Sequence, residues 1–167
     1  MNWFAVYTLP RSEKKACAEL LKKGIDAYLP LLRTLRQWSD RKKWVEEPLF
    51  RSYLFVNIPQ SQYFDVLNTN GVVRYITFEG KAVPIPEKQI GAIRFYLEET
   101  DHFLLDEDRG QANLPPGSPV EIIRGPLRGL KGQLVDHQGH KRVRIEIEAL
   151  GQFLHLTIST SDLTHRK

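Results

Sequence analysis

Apolar and polar residues alternate between strand-like and helix-like periods along the first hundred residues. The segment Trp3–Thr8 is short, aromatic and β-branched, which is typical of a strand. Ser12 then precedes an amphipathic run that ends at Gly24, and this pattern predicts a helix of about three turns. Two extended runs, Ala27–Trp38 and Lys43–Ile58, flank a short polar turn and predict a long β-hairpin.

The next segments predict two more helices around one strand. A helical stripe over residues 63–67 is stopped by Asn70–Gly71, and Val72–Phe78 has the composition of a strand. A further helix is predicted to begin near Pro86. The order β, α, β-hairpin, α, β, α predicts an α+β domain in which helices pack on a mostly antiparallel sheet.

The composition then changes twice. Residues 99–113 are acidic and weakly apolar, which predicts a linker. From Pro115 onward, short β-branched runs alternate with glycine-rich turns, which predicts a small five-stranded β-barrel. The predicted domains are therefore 1–98, a linker over 99–113, and 114–167.

Composition and charge narrow the function classes. The 167 residues are 41% hydrophobic and 26% charged, with a formal charge of +4 and a pI near 9.2, so a soluble protein that contacts an anionic surface is favoured. The single cysteine, Cys17, excludes an internal disulfide and a multi-cysteine metal site. Because no signal peptide or apolar run of about 18 residues is present, we expect a cytoplasmic protein with no membrane contact.

An enzyme is the first rival interpretation. The residues that would support a metal or acid–base site are Asp101, Asp106, Asp108, Asp136, His137 and His140. They fall in the predicted linker and in a short glycine turn, where no rigid element would orient them. We therefore expect no catalytic site, no metal and no cofactor, and we interpret Cys17 as a buried structural thiol.

The second arm of the hairpin raises the question of a partner. Four consecutive residues, Tyr53 to Val56, are apolar, although a strand with one wet face should alternate. Period-2 spacing places Tyr53 and Phe55 on one face and Leu54 and Val56 on the other. Either both faces of this strand are covered by other parts of the chain, or one face is exposed and binds a partner.

The chain resembles the NusG family of transcription elongation factors in four motifs, which occur in this order: WFAVYTLPRSEKK, LPLLRTLRQWSDRKKWVEEPLFRSYLFV, NGVVRYITF and PGSPVEIIRGPLRGLKGQLV. The first ~97 residues resemble the NusG N-terminal domain, and residues 115–165 resemble a KOW domain, which is an SH3-like barrel. The segment PLF-x-x-YLFV is closest to specialised paralogues such as RfaH and the antiterminators of capsule-polysaccharide operons. The general factor usually has glycine near Ser52.

The resemblance implies that the N-terminal domain lays an apolar surface on the clamp helices of RNA polymerase. Carried over by position, this surface comprises Leu49, Phe50, Tyr53, Phe55, Ile93 and Leu97. Leu54 and Val56 are expected to fill the domain's own core.

The resemblance also implies a nucleic-acid surface that would face the non-template DNA. Its candidate residues are Arg11, Lys14, Lys15, Arg36, Trp38, Arg41, Lys42, Lys43 and Arg74. Phosphate contacts by such residues give salt-dependent affinity, and Trp38 could stack on an unpaired base. An ordinary solvated charged face remains the alternative for these residues.

In the KOW half, the resemblance implies a partner contact at Leu150, Gln152 and Phe153. The family's F-G-R turn, which contacts a ribosomal protein or the Rho terminator, reads Leu150–Gly151–Gln152 here, so the partner stays open. Glycines and β-branched runs predict a barrel that does not convert to helix. We expect a monomer, and a ribosome- or RNA-binding module is the second rival interpretation.

Overall fold

The chain forms two compact units, Met1–Pro86 and Glu87–Lys167. The structure is a computed structural model and describes residues 1–102, 114–137 and 140–166. The last helix of the predicted N-terminal domain therefore belongs to the second compact unit, which begins at Glu87. The domain boundary predicted from the sequence lies later, at residue 98. That division into domains remains a prediction.

The first unit is an antiparallel sheet with helices and two projecting hairpins. Its elements are β1 (Asn2–Thr8), α1 (Glu13–Lys22), β2 (Asp26–Tyr28), β3 (Leu31–Gln37), β4 (Lys42–Pro48), β5 (Tyr53–Ile58), α2 (Tyr63–Leu67), β6 (Val72–Tyr75), β7 (Thr77–Phe78), β8 (Lys81–Ala82) and β9 (Pro84–Ile85). Strands β2, β5, β1 and β6 lie in that order in the main sheet, and β9 also pairs with β1. The hairpins β3–β4 and β7–β8 form separate two-stranded sheets.

Helix α1 begins and ends where the sequence predicts. Ser12 occupies the N-cap position, but its side chain makes no capping hydrogen bond. At the other end, Gly24 has a φ of 74°, and the N–H of Ile25 donates to the carbonyl of Leu20 over 3.0 Å. Glycine suits this left-handed position because it has no Cβ.

One face of the sheet forms the core of the first unit. Cross-strand pairs such as Val6–Leu54 point toward α1 and α2. The buried members of this core are Val6, Ala16, Leu20, Ile25, Leu54, Val56, Ile58, Val66 and Tyr75. The core assignment of Leu54 and Val56 is therefore confirmed. Burying each such side chain contributes roughly 1.5–3 kcal/mol.

The predicted long hairpin is correct at its tip and wrong at its base. Strands β3 and β4 are paired along their whole length, from Leu31 opposite Pro48 to Gln37 opposite Lys42. The turn is closed by a 2.8 Å hydrogen bond from the Trp38 N–H to the Arg41 carbonyl. The second arm does not continue as one strand to Ile58. It breaks at residues 49–52, where Ser52 has a φ of 64°, and β5 then joins a different sheet.

The described part of the second unit combines one α-helix with five antiparallel strands. Its elements are α3 (Glu87–His102), β10 (Pro119–Ile122), β11 (Lys131–His137), β12 (His140–Ile147), β13 (Gln152–Leu156) and β14 (Leu163–His165), with the strands ordered β13-β12-β11-β10-β14. The predicted α+β class with a β-rich C-terminal domain is confirmed. Strand β14 was not assigned from the sequence.

Helix α3 reaches past the predicted start of the linker at residue 99, and the rest of that linker, residues 103–113, lies outside the described residues. Near its end, the Glu99 carboxylate accepts a 3.2 Å hydrogen bond from the backbone N–H of Thr157. Burial raises the pKa of Glu99, although the Thr157 N–H and the charge of Arg142 act in the opposite direction. Among the described residues, no helix is long and apolar enough to cross a membrane.

Candidate functional site

The second face of the main sheet carries a row of aromatic and cationic side chains across three strands. Tyr53 on β5 lies opposite Tyr7 on β1, and the two rings meet edge to face with centroids 5.5 Å apart. Tyr7 in turn pairs with Arg74 on β6, whose guanidinium lies 5.4 Å from the Tyr7 ring centroid. This aromatic row, Tyr53–Tyr7–Arg74, joins one residue of the predicted polymerase surface to one of the predicted nucleic-acid surface.

The members of the aromatic row keep accessible area. Tyr7 and Tyr53 are half-buried and Arg74 is exposed. A tyrosine buries a large area and has few rotatable bonds, so it suits a contact surface better than an aliphatic side chain of equal size. The row can therefore offer a partner one aromatic edge and one cation.

Phe55 lies on the same sheet face but is completely buried. Its ring packs 6.3 Å from Tyr28 and 6.1 Å from Phe50, and Tyr28 also meets Trp3 at 6.4 Å. The small residue Ala5 lies opposite Phe55 in the register. Phe50 and Phe55 were both placed on the predicted polymerase surface, but both are buried in the structure and offer almost no accessible area.

The other residues of the predicted polymerase surface differ in burial and belong to different units. Leu49 is half-buried, and its N–H donates to the Pro30 carbonyl over 2.9 Å. Ile93 and Leu97 belong to α3 in the second unit, where Ile93 is completely buried and Leu97 is half-buried. Within the first unit, Tyr53 and Leu49 are the predicted residues that retain accessible area.

A buried carboxylate fixes the entry to β5. The Oε1 atom of Glu13, a residue only 6% exposed, accepts a 2.8 Å hydrogen bond from the Ser52 N–H. The Ser52 carbonyl accepts a 2.8 Å hydrogen bond from the Thr8 N–H. These bonds hold Ser52 in its left-handed conformation directly before Tyr53. Sequence reasoning missed Glu13, although the absence of the family's glycine at Ser52 indicated an unusual local contact.

The basic residues at the start of α1 lie beside the base of the hairpin. The Nζ atom of Lys14 donates to the Glu46 carbonyl on β4 over 2.9 Å, so this lysine is committed to a structural contact. Arg11 and Lys15 are exposed, and Arg11 has a φ of 63°. Arg11 and Lys15 are thus accessible cations near the start of α1, and Lys14 joins α1 to β4.

The hairpin itself presents exposed cations and exposed indoles. Arg41, Lys42 and Lys43 are exposed, whereas Arg36 forms an ion pair with Glu47. Trp38 in the turn is 45% exposed. Trp44 on β4 is 55% exposed, and the guanidinium of Arg33 lies 5.0 Å from its ring centroid. The sequence analysis did not select Trp44 or Arg33, since their contact depends on the pairing of β3 with β4.

On the second unit, an aromatic–cation pair lies near the predicted partner turn. Phe153 is 48% exposed, and the guanidinium of Arg144 lies 4.8 Å from its ring centroid. Arg144 also donates to the side-chain oxygen of Gln133. Gln152 is exposed and Leu150 is half-buried. Arg144 was missed because it comes from β12, beside Phe153 in space but apart from it in sequence.

Of the side chains named for the rival enzyme interpretation, that of Asp136 lies among the described residues. No group of three or more His, Cys, Asp or Glu side chains there could hold a metal ion. Asp106, Asp108 and the side chains of Asp101, His137 and His140 lie outside the described residues. Burial raises the pKa of the half-buried Cys17, which leaves less reactive thiolate at neutral pH.

Comparison with known proteins gives consistent results. Residues 1–94, more than half of the 167, match the family described as "Transcription termination factor nusG". Proteins named "Transcription termination/antitermination protein NusG" from Streptococcus pyogenes serotypes M3 and M1 are each 26% identical over 165 residues, covering 90% of this chain and 88% of the relative. A solved structure of Thermotoga maritima NusG is 19% identical and covers 99% of this chain and 97% of its own, with a TM-score of 0.57, which shows the same fold.

Proposed function

The chain belongs to the NusG family, and on this premise we propose that it is a specialised transcription elongation factor. In this proposal the N-terminal domain, residues 1–98, binds the clamp helices of RNA polymerase and suppresses pausing and termination. The KOW domain, residues 114–167, recruits a second factor across the linker. The protein acts without catalysis, as a monomer, in the cytoplasm.

The observation that supports the proposal is the aromatic row. Tyr53 keeps accessible area there, whereas Phe55 on the same strand is buried. We assign the direct polymerase contact to Tyr53 and Leu49, and we assign Phe50 and Phe55 the role of holding β5 in place beneath them. Leu97, which is half-buried, remains a proposed contributor from α3, whereas Ile93 is completely buried and is assigned no direct contact.

Two sets of basic residues support a contact with the non-template DNA. Arg11 and Lys15 are exposed near the start of α1, and Arg74 ends the aromatic row. Each cation that neutralises a phosphate releases counterions, so this contact should weaken steeply as salt rises. Lys14 is assigned a positioning role, because its ammonium already bonds to the Glu46 carbonyl.

The Arg144–Phe153 pair supports a partner site on the KOW domain. The F-G-R turn of the family is absent here, but this pair restores an exposed aromatic ring and an arginine from different positions. We therefore include Arg144 with Leu150, Gln152 and Phe153 in the proposed partner surface.

The test compares Tyr53→Ala with wild type for binding to cognate core RNA polymerase. Loss of a central aromatic contact typically costs on the order of 2 kcal/mol, which is about a 30-fold weaker affinity. Phe78→Ala is the matched control, since Phe78 is 71% exposed on the separate β7–β8 hairpin. Both variants must unfold at the wild-type temperature. Equal binding by Tyr53→Ala and wild type would reject the assignment of the aromatic row.

A second candidate function is binding of ribosomal or other structured RNA by the KOW domain. The loop between β10 and β11 favours it, because Arg124 and Arg128 are exposed there and Lys131 follows them. In this case the protein would sediment with ribosomes and show no affinity for polymerase. Sedimentation of a cell extract through sucrose, probed for the protein, separates the two candidates.

A further inference from the structure

We propose that one face of the β3–β4 hairpin is a stacking site for the bases of single-stranded nucleic acid, with Trp44 as its platform. The inference rests on the proposed contact between the hairpin and nucleic acid. It goes further in naming the face of the hairpin and the stacking residue. It replaces Trp38, the tryptophan selected from the sequence, by Trp44.

The register of the hairpin places Trp44 in a defined setting. Leu35 is directly opposite Trp44, so both side chains lie on the same face of the two-stranded sheet. Leu35 is 49% exposed and Trp44 is 55% exposed. Arg33, two residues along on the same face, holds its guanidinium 5.0 Å from the indole centroid. The indole is thus fixed by a cation and by a cross-strand neighbour, and more than half of it still faces solvent.

The charges on this face complement a phosphate backbone. The Gln37–Lys42 pair is the next one on the same face, about 7 Å from Trp44 by the rise of two strand residues. A base stacked on Trp44 would therefore have an ammonium group within reach of its phosphate. Within the paired residues, each face carries two cations and one carboxylate: Arg33 lies opposite Glu46 on the face with Trp44, and Arg36 and Lys43 share the opposite face with Glu47. The face with Trp44 combines an open aromatic surface with cations on two sides.

The chemistry favours an unpaired strand over a duplex. In a duplex the faces of the bases are occupied by their neighbours, so an indole can reach only sugars, phosphates and groove edges. In a single strand every base offers a free π-face, and stacking on an aromatic side chain tolerates any sequence. Trp38 lies at the turn, beyond the last pair of the described register, where its N–H donates to the Arg41 carbonyl.

Tryptophan fluorescence of the full chain tests the proposal without polymerase. The three tryptophans are Trp3, Trp38 and Trp44, and Trp3 is only 5% exposed. We would titrate wild type, Trp38→Phe and Trp44→Phe with a poly-dT oligonucleotide of about 12 nucleotides, a length within the usual range for single-strand sites. The proposal expects quenching in wild type and Trp38→Phe, and its loss in Trp44→Phe. Phenylalanine keeps the ring and the strand preference, so the hairpin should stay folded.

Affinity measurements provide a second readout. Trp44→Leu should weaken binding of the labelled oligonucleotide about 5- to 150-fold, the range for one stacked base. Lys42→Gln should weaken binding and reduce the salt slope by about 1. A dT·dA duplex of equal length should bind more weakly than the single strand and should not quench Trp44.

Four outcomes would overturn the proposal. They are quenching that persists in Trp44→Phe, equal binding of duplex and single strand, no binding by wild type at low salt, and quenching by anionic lipid vesicles but not by the oligonucleotide. Salt-dependent binding that Trp44→Leu leaves unchanged would reject stacking while keeping the hairpin as a phosphate-binding element. Polymerase binding through Tyr53 is measured separately, so failure of stacking does not decide that proposal.

Discussion

Replacing Glu13 by alanine should destabilise the first unit and displace the candidate polymerase contact. The carboxylate is nearly inaccessible to water and accepts the Ser52 N–H over 2.8 Å. In the variant, that N–H would lose its acceptor in a partly buried place. Ser52 would also lose the bond that holds it at a φ of 64°, a conformation that costs a non-glycine residue roughly 1–2 kcal/mol.

The magnitude follows from two contributions. A hydrogen bond to a charged group contributes about 1.5–3 kcal/mol, and a carboxylate in the first turn of a helix contributes about 0.3–1 kcal/mol. Part of this gain is offset in the wild type by the cost of burying the charge. We expect Glu13→Ala to lower the free energy of unfolding by about 2–3 kcal/mol. Glu13→Gln, which keeps an acceptor oxygen and the methylene groups, should cost about 1 kcal/mol.

The assay is urea unfolding of the full chain, monitored by tryptophan fluorescence emission at short wavelengths, to which the buried Trp3 contributes most. Glu19→Ala is the matched control, because Glu19 lies on the same helix and makes only a 3.4 Å surface ion pair with Lys22. If Glu13→Ala and Glu19→Ala unfold at the same urea concentration, the Glu13–Ser52 bond does not hold the entry to β5. In that case, weaker polymerase binding by Glu13→Ala would need another explanation.

Two further predictions concern the second unit. Because the pKa of Glu99 is raised in the folded state, ionisation of this carboxyl lowers the stability of the protein as the pH rises through that pKa. In thermal unfolding at neutral pH, Glu99→Gln should therefore be more stable than wild type. In acid both side chains are neutral, and the difference should vanish. Gly132→Ala should lower the melting temperature, because the added Cβ would lie 2.6 Å from the Arg144 carbonyl oxygen. Gly91→Ala should raise the melting temperature, because alanine favours a helix by about 1 kcal/mol and the nearest atom to the added Cβ is 3.7 Å away. If circular dichroism gives both variants the wild-type melting temperature, both expectations are contradicted.

Local patterns predicted the elements of the first unit well. The run from Ser12 to Gly24 contains its own start signal, apolar stripe and stop signal, and α1 occupies Glu13–Lys22. The polar turn between Trp38 and Arg41 likewise closes β3 onto β4. Such features depend on residues a few positions apart, and the sequence contains all of the information that they need.

The failures of prediction depend on contacts between distant residues. Alternation along β5 correctly placed Phe55 on the face opposite Leu54, but alternation cannot say what covers a face. The rings of Tyr28 and Phe50 pack against Phe55, and neither residue has a pattern that marks it as a neighbour of that ring. The break at Ser52 was hidden for the same reason, because the residue that stabilises it, Glu13, lies on α1.

The same reasoning explains why the most informative surface residues were missed. Arg33 contacts Trp44, and Arg144 contacts Phe153, only because two strands pair in one register. A shift of either register by one residue would move one partner to the opposite face and abolish the pair. Exposed aromatic rings held by an arginine are therefore a property of the folded sheet, not of any short motif. In this chain they mark two of the surfaces at which we expect ligands to bind, the β3–β4 hairpin and the outer face of β12–β13.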